Sequence, residues 1–540
     1  MEFVPYAFYA CKDTDKWEIF HMNIHAKRLL SASTGNSNQA VSLRSVFSPE
    51  VLSSLTLTPG STFVLGKSLK GGIYSIQTQR ILASLDSGDE YIRLVAIRKA
   101  ECTLPSLYSS TFSKEKLLFP KLTVDDVSFA GRRVMMRVDY NVPMSRDHKQ
   151  VTNDYRIQAT LPSIRKILAD GPQYLVLISH WGQPKKAQYD EKFSLKPVAA
   201  HLQTLLGAAT PVVFGEDCMN ANEILNHVSP KSIVLLENLR FAAGENSSKA
   251  SNAQKTEMTE KLASYADIYV NDAFGAAHRS AVSTVEIPKR IGTSVAGRLL
   301  AKELHHLSNF MQDPTPPIMA IVGGAKVTDK IKLLKKLAQK VDYLAIGGAM
   351  AIPFLKAKGV LTGKSFIEKD DQGREISVEI ARDLLQSVEN ASGGKKLEIL
   401  LPIDHAVAPV FRNVNPVFTE SANIPSNMMA LDIGPKTVAH WSDMLMKSKT
   451  ILWMGPLGVF EYSNFKDGTM GIARAIGSAT EGKKAMSVVG GGDTVSAVHL
   501  AGVGHKIGHV STGGGATLAL LEGQALPGVI HLTTRTRGKL

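Results

Sequence analysis

The sequence predicts an α/β protein with two lobes, each a doubly wound parallel sheet, joined by a helix and preceded by a small α+β module. Three observations carry this. From about residue 121 onward, short apolar runs alternate with amphipathic stretches many times over. The runs are apolar almost throughout, as expected where helices cover both faces of a sheet. Glycine pairs and triplets follow several of them, the punctuation of strand-to-helix turns. A chain of 540 residues is also too long for one hydrophobic core, and about two to four domains are expected.

Taken in order, residues 1–103 have a texture of their own. "WEIFHMNIHAKRLL" passes from a strand-like run into a helical one, and residues 61–100 alternate apolar and polar side chains, broken at Gly71–Gly72 and Ser87–Gly88–Asp89. Residues 104–120 contain "LPSLYSSTFSKEK", a Ser-rich, Pro-containing linker composition. Strand candidates then follow: "RVMMRVDY", "YLVLISH", "SIVLLEN" and "DIYVNDAF" in a first lobe over 121–304, and "PIMAIVGG", "YLAIGGAM", "LEILLPID", "TILWMGP" and "AMSVVGGGD" in a second over 305–520. Helical stretches such as "RIQATLPSIRKILADG" and "TEMTEKLASYAD" lie between them, and "LLAKELHHLSNFMQDP" is placed to join the lobes.

Composition excludes several classes. The net charge of +13 comes from dispersed Lys and Arg, without a basic run, zinc-finger spacing or aromatic-rich RNA motif. Phosphorylated metabolites therefore suit the charge better than nucleic acid. Cys11, Cys102 and Cys218 are too few and too scattered for a disulfide framework or a metal site, which points to a reducing compartment. No apolar run approaches the roughly 18 residues that span a bilayer, and "MEFVPYAFYACKD" lacks the basic leader of a secretory signal.

In an open parallel sheet, ligands bind beyond the carboxyl ends of the strands. There the second half places Gly323–Gly324 before Lys326 and Lys330, Gly347–Gly348, Gly490–Gly492 before Asp493 and Thr494, and Ser511–Gly515 before a helical run. Bare backbone, helix N-termini and ammonium groups suit phosphates, and Asp493 suits Mg²⁺ carried by a nucleotide. Lys326 and Lys330 would share a face if a helix begins there. No Walker-type loop is present. The first half offers Arg137 and Asp139 on one face of a strand, Asn141, Arg156 at a helix start, His180, Arg240 and His278–Arg279. Arginine forks match carboxylate and phosphate oxygens, so this lobe suits an acidic phosphorylated substrate.

Residues from about 121 to 537 resemble the phosphoglycerate kinase family. The motifs are "RVDYNVP", "LLENLRF", "VNDAFGAAHR", "GGAKVTDKI", "LDIGPKT", "GPLGVFE", "GGGDTVSAV", "STGGGATLALLEG" and "LPGV". The resemblance implies two Rossmann-like lobes around a hinge, with the segment 521–540 returning to the first lobe. It implies a monomer that transfers a phosphoryl group between 1,3-bisphosphoglycerate and Mg·ADP, giving 3-phosphoglycerate and ATP. Carried over, Arg137, Asp139, Asn141, Arg156, His180, Gln183, Arg240 and Arg279 would hold the phosphoglycerate. Lys326 would follow the moving phosphoryl group, with Arg156, Gly513 and Gly514 also catalytic. Lys330, Gly347, Gly348, Gly434, Glu461, Gly491, Gly492, Asp493 and Thr494 would hold the nucleotide, and Asp493 its Mg²⁺.

Four positions depart from the family pattern. Gln183 stands for an arginine in "SHWGQP", Ala281 for a histidine in "AHRSAVS", Met454 for an asparagine in "WMGP", and Arg298 for an apolar residue. Losing the charge at Gln183 removes a bond of about 1.5–3 kcal/mol. A detuned enzyme is expected, and the alternative is a weakly active or inactive kinase-like sensor or scaffold.

"HMNIHAKRLLSAS" resembles a stretch of PAS domains, which bind small ligands or protein partners, and the whole chain resembles the PAS–phosphoglycerate kinase fusions of trypanosomatid parasites. His21 and His25 are read as solvated or core histidines rather than haem ligands. Gly538–Lys539–Leu540 has the small–basic–apolar form of a peroxisomal import tripeptide, implying a glycosome, with the cytoplasm as the alternative.

Overall fold

The computed structural model describes strand backbone within residues 7–99, and residues 121–535 apart from 247–248 and 391–396. The chain divides into two compact units, Met1–Lys116 and Leu117–Leu540. In the first, β1 (Ala7–Asp13), β2 (Lys16–His21), β3 (Thr56–Lys67), β4 (Ile73–Ala83) and β5 (Glu90–Lys99) form one sheet in the order β2-β1-β5-β4-β3. Its neighbours are antiparallel except β1 and β5. The helical stretch expected after His21, His25, the linker 104–120 and the terminal tripeptide lie outside the described residues.

The second unit holds two parallel six-stranded sheets. The first contains β6 (Arg133–Arg137), β7 (Tyr174–Ile178), β8 (Val212–Gly215), β9 (Ile233–Leu236), β10 (Ile268–Asn271) and β11 (Thr293–Ala296), in the order β11-β10-β6-β7-β9-β8. Side chains alternate across a strand. In β6, Val134 and Met136 therefore join Leu175 and Leu177 under Ile157, Ile164, Val198 and Leu202. Met135 faces the other way with Val176, Val234 and Tyr269, under Met258, Leu262, Leu300 and Leu304. Burial on both faces is why these runs are apolar throughout. The helix Asn252–Ala263 starts at a reciprocal cap: the Gln254 amide donates to Ser251 Oγ at 3.2 Å, and the Ser251 amide to Gln254 Oε1 at 2.9 Å.

The second sheet contains β12 (Ile318–Val322), β13 (Tyr343–Ile346) and β14 (Glu398–Leu400). After β15 (His405–Ala408), β16 (Val417–Phe418) and β17 (Met429–Ile433), it continues with β18 (Thr450–Met454), β19 (Met486–Gly490) and β20 (His509–Val510). Its order is β14-β13-β12-β18-β19-β20, while β16-β15-β17 form a small antiparallel sheet that the sequence pattern did not announce. Met319 and Ile321 pack on Trp441, Leu445 and Ile472, and Ala320 and Val322 on Leu333, Leu334 and Leu337.

The connecting helix Arg298–Gln312 contributes Leu300, Leu304, Leu307 and Phe310 to one core cluster that runs through both lobes. Each fully buried side chain of this size stabilises by about 1.5–3 kcal/mol. Arg298, flagged as unusual, pairs with Asp125 at 2.6 Å at the start of this helix, half exposed and outside both cavities described below. After the helix Gly515–Leu521 the chain returns to the first lobe. There the Leu122 amide donates to Thr533 O at 2.9 Å, the Thr533 amide to Ser294 O at 2.7 Å, and Asn271 Nδ2 to Gly528 O at 2.7 Å.

Candidate active site

Strand order fixes where a site can form. In the first sheet the chain winds from β6 out to β8, then back to β10 and β11, so the crevice opens between β6 and β10. In the second it winds from β12 to β14, then to β18, β19 and β20, opening between β12 and β18. A cavity lies at each switch point.

The cavity beyond β6 and β10 has a volume of about 400 Å³ and is lined by Arg137, His180, Gln183, Arg240, Arg279 and Ala281 among others. The strand ends at Arg137, so Asp139 stands past its end rather than along its face. Arg137 is 2% exposed and largely committed. Its Nε donates to Ser283 Oγ at 2.9 Å, one terminal nitrogen to Val138 O at 2.5 Å, and the other lies 3.1 Å from His180 Nδ1. Burial would raise the Asp139 carboxyl, but Arg156, with Arg137 and the Asn141 amide, outweighs it and holds Asp139 below the usual carboxylate range. Burial, with Arg137 adding to it, pushes His180 down to about 3, against the opposing pull of Asp139. His180 is therefore a neutral hydrogen-bonding group at any ordinary pH. Asn141 accepts from the Gly182 amide at 3.0 Å, and Arg240 donates to Gly182 O, so both brace the Gln183 loop.

Asp139, Asn141 and Arg156 lie outside this cavity's lining. Arg156, at the second residue of the helix Tyr155–Ala169, reaches Asp139 at 3.3 Å, Asn141 O at 3.0 Å and Thr512 O at 3.5 Å. Beside it, the Tyr155 hydroxyl donates to Val510 O at 3.1 Å. These contacts cross from the first lobe to the loop leading into the helix Gly515–Leu521.

The cavity beyond β12 and β18 is larger, about 820 Å³, and is lined by Lys326, Lys330, Gly348, Glu461, Gly491–Thr494 and Gly514–Gly515. The helix after the first turn begins only at Ile331, so Lys326 and Lys330 converge through a turn and not along one helical face. Lys326 is exposed and has no side-chain partner among the described residues. Lys330 is tucked inward, donating to Gly323 O; burial lowers its pKa, opposed by Asp493 and Asp329. Gly348 has φ +66°, and a Cβ there would meet Gly324 and Pro456 backbone at 2.9–3.0 Å, so only glycine lets these three turns approach. Gly491, at φ +93°, precedes the helix Gly492–Leu500, whose first turn presents Asp493. Thr494 is buried and accepts from the Gly455 amide at 2.7 Å, tying that helix to the turn after β18.

Three expected nucleotide-side glycines are not cavity wall. Gly434 packs on the Asp404 carboxylate, and Gly347 on Leu457. Gly513 packs on Phe274, and its amide donates to Ser511 Oγ at 3.2 Å instead of facing the cavity. Conversely, Phe366, Phe411 and His405 line the cavity and were missed. So was Asp432, whose burial raises its pKa and whose oxygens accept from the Ile433 and Gly468 amides. The small sheet brings His405 and Asp432 there, a long-range pairing with no local signal. Phe411, 58% exposed, was the readable one.

One packing contact links the neighbourhoods of the two cavities. Gly514 and Gly515 line the second, while Gly515 packs on His278, next to Arg279 in the first. The connecting helix holds this loop: Glu303, fully buried, accepts the Thr512 amide at 2.6 Å and meets His509 Nε2 at 2.7 Å.

Comparison with known proteins agrees with this geometry. The phosphoglycerate kinase family model matches residues 124–524. The chain is 42% identical over 431 residues to the cytosolic phosphoglycerate kinase of Crithidia fasciculata, spanning 77% of this chain and 99% of that one. It is 42% identical to the glycosomal phosphoglycerate kinase of Leishmania mexicana, spanning 77% and 86%. The solved structure of phosphoglycerate kinase from Coxiella burnetii superimposes with a TM-score of 0.64 at 34% identity, covering 77% of this chain and all of that one. On the family match, the identity and the shared architecture together, the chain belongs to the phosphoglycerate kinase family.

Proposed function

We propose that the protein transfers a phosphoryl group reversibly between 1,3-bisphosphoglycerate and Mg·ADP, giving 3-phosphoglycerate and ATP. One observation carries this reading: an arginine-lined cavity and a glycine–lysine cavity each lie at the switch point of their own parallel sheet, and Gly515 of the second packs on His278, the neighbour of Arg279 in the first. Phosphoryl transfer asks a protein for positioning and charge stabilisation, without a covalent nucleophile.

In this reading Arg137, His180, Gln183, Arg240 and Arg279 hold the phosphoglycerate. Asp139 and Asn141 act through Arg156 and the Gln183 loop. Arg156 stands at the border of the lobes, where charge develops in flight. Lys326, exposed and without a side-chain partner among the described residues, is free to follow the phosphoryl group, and Lys330 anchors nucleotide phosphates. Gly348, Glu461 and Gly491–Thr494 form the nucleotide wall, with Phe366 and Phe411 available to a base. Asp329 and Asp493 offer hard oxygens on the same cavity, which fits a magnesium ion carried mainly by nucleotide phosphates. Bound there, the ion supplies charge neutralisation of the phosphates.

The lobes 121–304 and 305–520, with 521–540 closing on the first, are proposed as the enzyme, working as a monomer. The first unit is proposed as a PAS-like module with a small ligand or protein partner, supported by its five-stranded sheet. A glycosomal compartment is supported by relatives named glycosomal.

Steady-state turnover with 3-phosphoglycerate and Mg·ATP tests the function. Rates of roughly 1–100 per second are expected. Nucleotide binding without turnover would favour the sensor reading, for which Gln183, Ala281 and Met454, each in the wall of a cavity, are the specific support.

A further inference from the structure

The cation-lined cavity carries more positive charge than the arginines above account for. Arg137, Arg240 and Arg279 are joined on its wall by Lys185, Lys186 and Lys249, six cations facing one carboxylate, Glu245. That carboxylate is committed inward. It accepts the Ser283 amide at 3.0 Å and the Ser283 hydroxyl at 2.7 Å, and lies 3.7 Å from Arg137.

Two of the arginines are partly committed as well. Arg137 already bonds Ser283, Val138 and His180, and Arg240 bonds Gly182 O, while each keeps further N–H donors for a ligand. The lysines differ. Lys185 and Lys186 are exposed in the loop that carries Gln183, Lys249 is exposed on the separate loop after Phe241, and none of the three ammonium groups has a partner among the described residues. Like charges converging from two loops on one concavity repel one another, and a multivalent anion offsets that cost. A phosphate monoester with about two charges at neutral pH is such an anion. An ammonium on a flexible stem meets it as a point charge, without the fixed fork of an arginine.

We infer that Lys185, Lys186 and Lys249 are substrate-binding residues that jointly supply, at the phosphate of phosphoglycerate, the charge an arginine would supply at Gln183. The inference rests on the phosphoglycerate kinase reading and assigns the source of affinity within it. Because exposed ammonium groups are screened by salt, it also makes the affinity for 3-phosphoglycerate steeply dependent on ionic strength.

The test uses the full chain with Lys185→Gln, Lys186→Gln, Lys249→Gln and the triple substitution. Turnover with 3-phosphoglycerate and Mg·ATP is measured at low and high salt, and 3-phosphoglycerate binding by calorimetry. Each single change raises KM for 3-phosphoglycerate about threefold and the triple about thirtyfold, while KM for ATP and kcat stay within about twofold. The salt dependence flattens in the triple, and Gln183→Arg added to it recovers about tenfold. A triple variant that binds 3-phosphoglycerate as tightly as the parent overturns the assignment, whatever the turnover. A parent that binds 3-phosphoglycerate but does not turn over overturns the kinase reading alone, and the binding constants still judge the lysines. A parent that neither binds nor turns it over overturns both.

Discussion

Asp139 and His180 both lie near Arg137, which drives them in one direction, since a cation favours both the ionised carboxylate and the neutral imidazole; burial adds to the shift at His180 and opposes it at Asp139. The consequence for His180 is a stability effect. Its pKa in the fold, about 3, is below its unfolded value, so its contribution is full above about pH 6.5 and is lost as pH falls toward 3. Replacing it by asparagine, which keeps a polar group and does not titrate, therefore flattens the acid limb. Between pH 6.5 and 5.5 the parent loses on the order of 1 kcal/mol of unfolding free energy more than His180→Asn, read from urea unfolding at each pH. At the other cavity, Lys326 is exposed, and the proposed function gives it the charge that develops in flight. Lys326→Ala lowers kcat by about 10²–10³-fold with a smaller change in KM for ATP, measured by steady-state kinetics.

Among the elements, the connecting helix and the loop Ser511–Gly515 bear most on function. Glu303 is the only helix side chain described as bonding both His509 and Thr512, and it does so fully buried. Glu303→Ala leaves a buried histidine and an amide without their acceptor and costs about 3–5 kcal/mol in denaturant unfolding. Glu303→Gln costs less, because one oxygen still accepts the Thr512 amide and the new NH₂ can donate to His509 Nε2, shifting its proton to the unpartnered Nδ1. Elements were also where sequence reading did best and worst. "PIMAIVGG" and "YLVLISH" announced β12 and β7 because both strands are buried on two faces. The segment 405–433 did not announce its antiparallel sheet, since β16 is two exposed residues long and its pairing partners are remote.

On the scale of the whole molecule, the described residues that line the two cavities belong to the unit Leu117–Leu540. A chain of residues 106–540 is therefore expected to turn over in the same roughly 1–100 per second range as the full chain. A ratio of the two rates far from unity measures regulation by the first unit. By itself the sequence determined most strands of the two parallel sheets, the glycine turns at their carboxyl ends and the cationic side chains beyond them, because apolar periodicity and turn chemistry are local properties of a few consecutive residues. Only the tertiary structure decided that Gly434 and Gly513 support the wall while Asp432 and His405 form it, that Arg156 bridges the lobes, and that Lys249 and Lys185 line one cavity. Those are consequences of strand order and of contacts between residues tens to hundreds of positions apart, which no local pattern encodes.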